Sequence, residues 1–328
     1  MPQQVKRQKE ENFMQIRSFQ EEDWRILLRL YNECYPADPV SGKFFLEHLI
    51  LEPNFNADGV FIAEENGVVV GAAVSQIITR NLSPWKDQVS KMQGKGFIMP
   101  LIFFTKETGR ALLERSERYF AENNIEKVRI TSTGAYLFPD GIDPEGMPLL
   151  AEVLEECGYL RTSHTLSMRC DLFKWMLPDS IREKIESAQK DGIIAKVCEL
   201  SDLPAVRRFF TSGDLIERMQ NVAKKLASDE LDEVVIIRSP EEVLGYCQYN
   251  YFGEPDRVGP FGISQTHRGR GLGQIMVAKL LETMKCRGLR HAWFASCSEN
   301  NSFFYEKNHF ERFRTKYVFE KTLKENAI

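Results

Sequence analysis

One order of strands and helices, β-α-β-β-β-α-β-α-β, is written twice along this chain, and that repetition restricts its fold more than any single residue. In the first copy a strand is expected over 14–19. A helix follows, with Trp24, Leu27, Leu28 and Tyr31 at three- and four-residue spacing. The run Gly59 to Val74 holds two β-rich segments around Glu65-Asn66-Gly67, a strong hairpin signal. A buried strand over 97–104 leads into a helix over 109–123 whose apolar face carries Leu112, Leu113, Tyr119 and Phe120. Strand 128–132, helix 148–157 and strand 164–170 close the copy. The second copy runs in the same order: strand 193–197, a helix opened by Asp202, and a hairpin over 234–249 whose Val243-Leu244-Gly245 repeats Val69-Val70-Gly71. Then come a strand ending at Phe261 and Ile263, a helix over 274–285, strand 291–297, helix 302–307 and strand 315–319.

At 328 residues, two domains are the expectation. The reading is a polar tail over 1–12, one domain over 13–172, a helical linker over 173–192 centred on the charged run 178–192, and a second domain over 193–328. The fold class is α/β (α+β), each domain a mixed, mostly antiparallel sheet flanked by helices.

Composition removes several alternatives. A net charge of −4 argues against a dedicated nucleic-acid binder. No apolar run approaches the roughly 20 residues needed to cross a bilayer. The opening MPQQVKRQKEEN is polar and charged, unlike a secretory signal. The seven cysteines contain no Cys-x-x-Cys pair and the five histidines no ligand spacing, so reduced thiols, no metal and a cytoplasmic location are expected.

The densest chemical signal is Val258 to Gly273, followed directly by helix. Glycines at 269, 271 and 273 let the backbone turn tightly and bring successive N–H groups toward a ligand. A helix N-terminus adds unpaired donors and a positive dipole end, and Arg268 and Arg270 add charge. A diphosphate suits such a site. The spacing is neither the dinucleotide Gly-x-Gly-x-x-Gly nor a P-loop, and the competing reading is a strand-to-helix turn that uses glycine for geometry alone.

Arg268-Gly-Arg-Gly-Leu-Gly273 resembles the Gln/Arg-x-x-Gly-x-Gly/Ala coenzyme A motif of the GNAT acetyltransferase superfamily. Phe303-Phe-Tyr-Glu-Lys-Asn-His-Phe310 resembles that family's Leu/Phe-Tyr-Glu-Lys-x-Gly-Phe segment, with His309 in place of the glycine. With the strand order, the resemblance covers about Ile193 to Leu323. It implies two tandem GNAT-like acyl-CoA N-acyltransferase domains, with acetyl-CoA as cosubstrate. The pantetheine arm would pair with backbone of Phe261, Gly262 and Ile263. Arg268 and the N–H groups of Gly269, Arg270, Gly271, Leu272, Gly273 and Gln274 would hold the diphosphate. Tyr305 would be the general acid for the thiolate, the Ile263 N–H would polarise the thioester carbonyl, and Asn301 would be a weak coenzyme contact. The general base is open between Glu254, a water relay and a group from the N-terminal half.

In the first copy, Lys106-x-x-Gly109-x-Ala111 keeps the glycine and the small residue but not the Gln or Arg, and Leu154 stands where Tyr305 stands. That copy is expected to be structural, substrate-binding or regulatory. The loop Gly134 to Gly146 is a candidate lining for an acceptor channel, and Glu254, Asp256 and Glu299 are candidates to receive a cationic amine. The tandem plan resembles mycothiol-synthase-like proteins, which implies transfer to a primary amine of a small molecule, without nucleic-acid or membrane partners. The alternatives are an aminoacyl-tRNA-dependent peptidyltransferase-like protein and a non-catalytic acyl-CoA-sensing module. The residues name neither the acceptor nor the oligomeric state.

Overall fold

The computed structural model describes residues 14–80, 88–132, 138–212 and 218–323. The chain forms two compact units. The first contains the described residues up to 164 together with 316–323, and the second contains 165–315.

The first unit begins with β1 (Met14–Ser18), α1 (Trp24–Cys34) and the short α2 (Gly42–Phe45). The hairpin β2 (Val60–Glu65) and β3 (Val68–Ile77) follows, then α3 (Gln88–Met92), β4 (Lys95–Ile102), α4 (Lys106–Glu122), β5 (Lys127–Ile130) and α5 (Pro148–Glu156). Asn66 and Gly67 carry the left-handed angles φ 50° and 79° that a two-residue hairpin turn demands. Neighbouring strands run antiparallel from β1 through β4, and β4 and β5 are parallel. The next strand comes from far along the sequence. In β12 (Glu311–Thr322), residues 319–322 pair antiparallel with β5, Phe319 opposite Ile130. The core lies between this sheet and its helices, with Ile62, Ala72, Ile98, Leu112, Phe120 and Phe319 buried.

β6 (Leu160–Asp171) leads into the second unit, where its residues 166–171 pair antiparallel with β11 (His291–Cys297). The same unit holds α6 (Asp179–Lys190), β7 (Ile194–Val197), α7 (Leu203–Ser212), α8 (Met219–Ala227), β8 (Val234–Arg238), β9 (Val243–Gln248), β10 (Phe261–Ile263), α9 (Leu272–Cys286) and α10 (Glu299–Glu306). A four-stranded sheet runs β10-β9-β8-β7, antiparallel throughout.

The duplication extends to irregular detail. Ala63 faces Gly71 and Glu64 then faces Val69; in the second hairpin Ile237 faces Gly245 and Arg238 then faces Val243. Each hairpin therefore carries one extra residue, Val70 or Leu244, at the same bulge. Entry to the first helix is matched too. Gln20 N–H donates to Asp23 at 2.8 Å, and Glu199 N–H donates to Asp202 at 3.0 Å. Asp23 also accepts from Arg17 at 2.7 Å, and Asp202 from Lys196 at 3.0 Å, each cation six residues upstream.

Two elements differ from the sequence reading. The run 178–192, expected as part of a linker, forms α6, and its Ile181 and Ala188 are buried with Leu272, Ile275 and Met276. An apolar stripe, Ile181, Ile185 and Ala188, makes it a core helix of the second unit rather than a spacer. The last strand, expected to belong to the second copy alone, has residues 316–322 in the first unit, because backbone pairing to β5 holds them there. The compact units accordingly divide at 164/165 and 315/316, whereas the sequence reading put domains at 13–172 and 193–328. Of the loop Gly134 to Gly146, residues 134–137 lie outside the described residues, while Phe138 and Ile142 are buried and Ile142 bridges Tyr317.

Candidate active site

In the second unit, the segment leading to β10 begins alongside β11. Trp293 N–H donates to Asp256 carbonyl at 3.0 Å, and Val258 N–H donates to Trp293 carbonyl at 2.7 Å. The two strands then part. Phe261 to Ile263 stay with β9, whereas β11 stays with residues 166–171. The divergence exposes the outer edge of β10. Ser264 N–H donates to Leu244 carbonyl at 2.8 Å, and alternation along an antiparallel pair turns the N–H of Ile263 away from β9. The Ile263 carbonyl, on that same side, accepts from Arg268 Nε at 3.3 Å.

The loop Ser264 to Gly271 then enters α9. Gly269 and Gly271 have φ 80° and 78°, and Gly271 is the N-cap. These left-handed angles are where an L side chain is strained, so glycine is dictated by the turn. Among the described residues, no protein acceptor is found for the five consecutive N–H groups from Gly269 to Gly273. Gln274 differs from expectation, because its N–H donates to Gly271 carbonyl at 3.0 Å. Its side chain instead faces Lys184 Nζ of α6 through a short hydrogen bond.

These features line one cleft of about 770 Å³. Every residue expected to bind the cofactor is there: Phe261, Gly262, Ile263, Arg268, Gly269, Arg270, Gly271, Leu272, Gly273, Gln274 and Asn301, together with Tyr305. Ser298 caps α10 by accepting from Asn301 N–H at 3.4 Å, and the helix carries Tyr305 into an aromatic nest. Ring centroids lie 4.4 Å away for Phe294, 4.9 Å for Phe304 and 5.7 Å for Phe310. Burial pushes the Tyr305 phenol well above its ordinary range, the Cys297 and Cys247 thiols add to the shift, and Arg218 opposes it. The hydroxyl therefore keeps its proton across the neutral range.

The carboxylates considered from sequence do not line this cleft. Glu254 is held by Arg257 at 2.7 Å, Asp256 accepts from the Trp293 indole at 3.1 Å, and Glu299 is paired with Arg312. Sequence reasoning missed Lys184, His267, Phe304 and Lys307, which also line it. Lys184 stands 90 residues before its partner, a distance at which spacing carries no signal.

The matching region of the first unit is closed. Ala73 faces Leu101 and Cys247 faces Phe261, each two residues past its hairpin glycine, so Leu101 corresponds to Phe261 and Phe103 to Ile263. The Tyr35 hydroxyl donates to Leu101 carbonyl at 2.8 Å and accepts from Leu101 N–H at 3.2 Å. Only Phe103, Phe104 and Thr105 separate β4 from α4, and the Thr105 hydroxyl accepts from Thr108 N–H at 3.2 Å. Lys106 is paired with Glu152 and Glu156, Gly109 lies within the helix against the Phe103 ring, and Leu154 is buried.

Residues 200–310 match the family model described as Acetyltransferase (GNAT) family. The chain carries a GNAT acetyltransferase domain. Solved structures show the same fold at low identity. A glucosamine N-acetyltransferase region of a fungal multi-domain GH3 beta-N-acetylglucosaminidase is 15% identical with a TM-score of 0.68, covering 94% of this chain. This chain spans 38% of that fungal protein. A GCN5-related N-acetyltransferase from Sphaerobacter thermophilus is 13% identical (TM-score 0.62, 94% of this chain and 95% of that one). A tandem GNAT protein from the clavulanic acid biosynthesis pathway is 14% identical (TM-score 0.60, 94% and 98%). The chain thus shares the fold of that tandem protein over nearly its full length. No curated protein sequence matches it.

Proposed function

We propose that the second unit transfers an acetyl group from acetyl-CoA to a primary amine of a small molecule, and that the first unit is a non-catalytic scaffold. The observation that carries this reading is the cleft itself, where five acceptor-free N–H groups lie in one concavity with a protonated tyrosine. The N–H groups of Gly269 to Gly273, at a helix N-terminus, fit a diphosphate. The open edge of β10 fits the amide-bearing arm of coenzyme A. When bound, acetyl-CoA supplies an activated acyl carbon.

The chain's own residues then have separate tasks. The Ile263 N–H, directed into the opening, stabilises negative charge developing on the acyl oxygen. The acceptor amine attacks in its neutral form, losing its proton to water, since Glu254, the carboxylate considered as a base, is held by Arg257. As the C–N bond forms and the C–S bond breaks, Tyr305 gives its proton to sulfur.

Thiol release from acetyl-CoA across an amine panel tests this, with calorimetry for coenzyme binding. Tyr305→Phe should lower kcat at least about 100-fold and leave the coenzyme Kd within about twofold. Normal turnover by the variant would remove Tyr305 as the acid, and failure of the wild type to bind coenzyme A would remove the whole reading. Because burial raises the phenol above its ordinary value of about 10, the acid is not lost as pH rises toward that value. The rate should climb from pH 7 to 9 as the amine deprotonates. A falling limb within that window would assign the acid to another group.

A further inference from the structure

Lys184 of α6 rests at the wrong end of α9 for its charge. Helix α6 packs on α9 through Ile181, Ile185 and Ala188, and Lys184 projects from its edge over the loop. A Cβ at Gly271 would stand 3.0 Å from Lys184 Cδ, and the ammonium rests on the largely buried Gln274 side chain in the first turn of α9. A helix N-terminus carries partial positive charge, so a cation brought there is opposed by the dipole unless an anion lies between them. The loop's own arginines each lie near a protein group as well as lining the cleft. Arg268 Nε donates to the Ile263 carbonyl, and Arg270 lies 3.9 Å from Asp191. Lys184 comes from another helix to stand beside Gly271, one of the residues whose N–H is acceptor-free among the described residues.

On this basis we infer that Lys184 is a coenzyme-binding residue that closes over the diphosphate from α6, a helix outside the matched segment 200–310. Its ammonium exchanges the neutral amide oxygen of Gln274 for a phosphate oxygen, giving a charge-assisted contact that the loop backbone does not supply. The inference rests on reading the cleft as a coenzyme A site. Its consequence is that α6, which looks like a spacer in the sequence, is part of the binding apparatus, and the segment 200–310 makes an incomplete site without it.

The test uses the full chain, with calorimetry and thermal unfolding against coenzyme A and 3′-dephospho-coenzyme A. Lys184→Ala should raise both dissociation constants about tenfold, and Lys184→Arg should restore most of the affinity. Without ligand, Lys184→Ala should melt at or above the wild-type temperature, while its ligand-induced shift shrinks. Lys307→Ala, which removes another cation of the cleft, should cost less than threefold. A loss confined to coenzyme A would move Lys184 to the 3′-phosphate and overturn the diphosphate assignment. So would a Lys307→Ala loss as large as that of Lys184→Ala, which would reduce the effect to bulk charge. A lowered ligand-free melting temperature with unchanged affinities would make Lys184 structural. If the wild type binds neither ligand, the failure lies with the coenzyme A reading itself.

Discussion

The outer edge of β4 in the first unit is occupied from within, whereas the matching edge of β10 in the second unit opens on a cleft. At Leu101 a tyrosine hydroxyl supplies both hydrogen bonds that the splayed backbone needs; at Phe261 the corresponding edge lines the cleft. The helix starts differ in the same way. The N-terminus of α4 is capped by Thr105 and neighboured by an ion-paired lysine, while that of α9 follows eight loop residues, Ser264 to Gly271, and has five donors with no acceptor among the described residues. The contrast shows how the same fold can close in one copy an edge that it leaves open in the other. Buried backbone groups at a strand edge must be satisfied by something, and the Tyr35 side chain, at the C-terminal cap of α1, has taken that place in the first unit.

The largest effect that probes this contrast is expected at the paired glycines. Gly271→Asp should weaken coenzyme binding at least about 100-fold in calorimetry, through left-handed strain at φ 78° and repulsion of phosphate. Gly109→Asp should leave that affinity intact and lower stability instead, since a Cβ there meets the Phe103 ring at 2.8 Å. If both variants lost affinity alike, the first copy would have to be part of the coenzyme site. Next in size is Tyr35→Phe. Removing the hydroxyl orphans the Leu101 N–H and C=O at a cost of about 1–3 kcal/mol in urea unfolding, with kcat unchanged.

Much of this was legible in the sequence, and the reasons are local. Asn66-Gly67 and the repeated Val-x-Gly fixed both hairpins, since only certain residues tolerate those angles and that close strand approach. The glycine loop and Tyr305 were legible because they sit within about 45 residues of one another on consecutive elements. What escaped depends on long-range pairing. Tyr35 reaches Leu101 across 66 residues and Lys184 reaches Gln274 across 90, and nothing in the periodicity of α1 or α6 marks either side chain. The placement of 316–322 escaped for the same reason, because an alternating strand does not say which neighbour it will pair with.

The smallest expected effect concerns the feature the copies share. Burial pushes Asp202 upward, but the Glu199 N–H and the Lys196 and Arg238 cations outweigh it and hold its pKa below the ordinary value. Asp23 is held down likewise, with Arg17 and the Gln20 N–H outweighing its burial. A depressed carboxyl stabilises the fold above its unfolded pKa of about 3.9, and that contribution is lost as pH falls through the folded value. Asp23→Asn and Asp202→Asn should each lower Tm at neutral pH by a few degrees and flatten its decline below about pH 4. If one substitution flattened the acid limb and the other did not, the equivalence of the two entry motifs would fail.

The late arrival of residues 316–322 in the first unit bears on how the protein is made. A nascent chain that has released everything up to Thr315 still lacks the strand that pairs with β5, so the copy translated first is the one that must wait for residues 316–322. A chain broken off before residue 316 would therefore damage the half made earliest, with one edge of β5 left unpaired and exposed to aggregation.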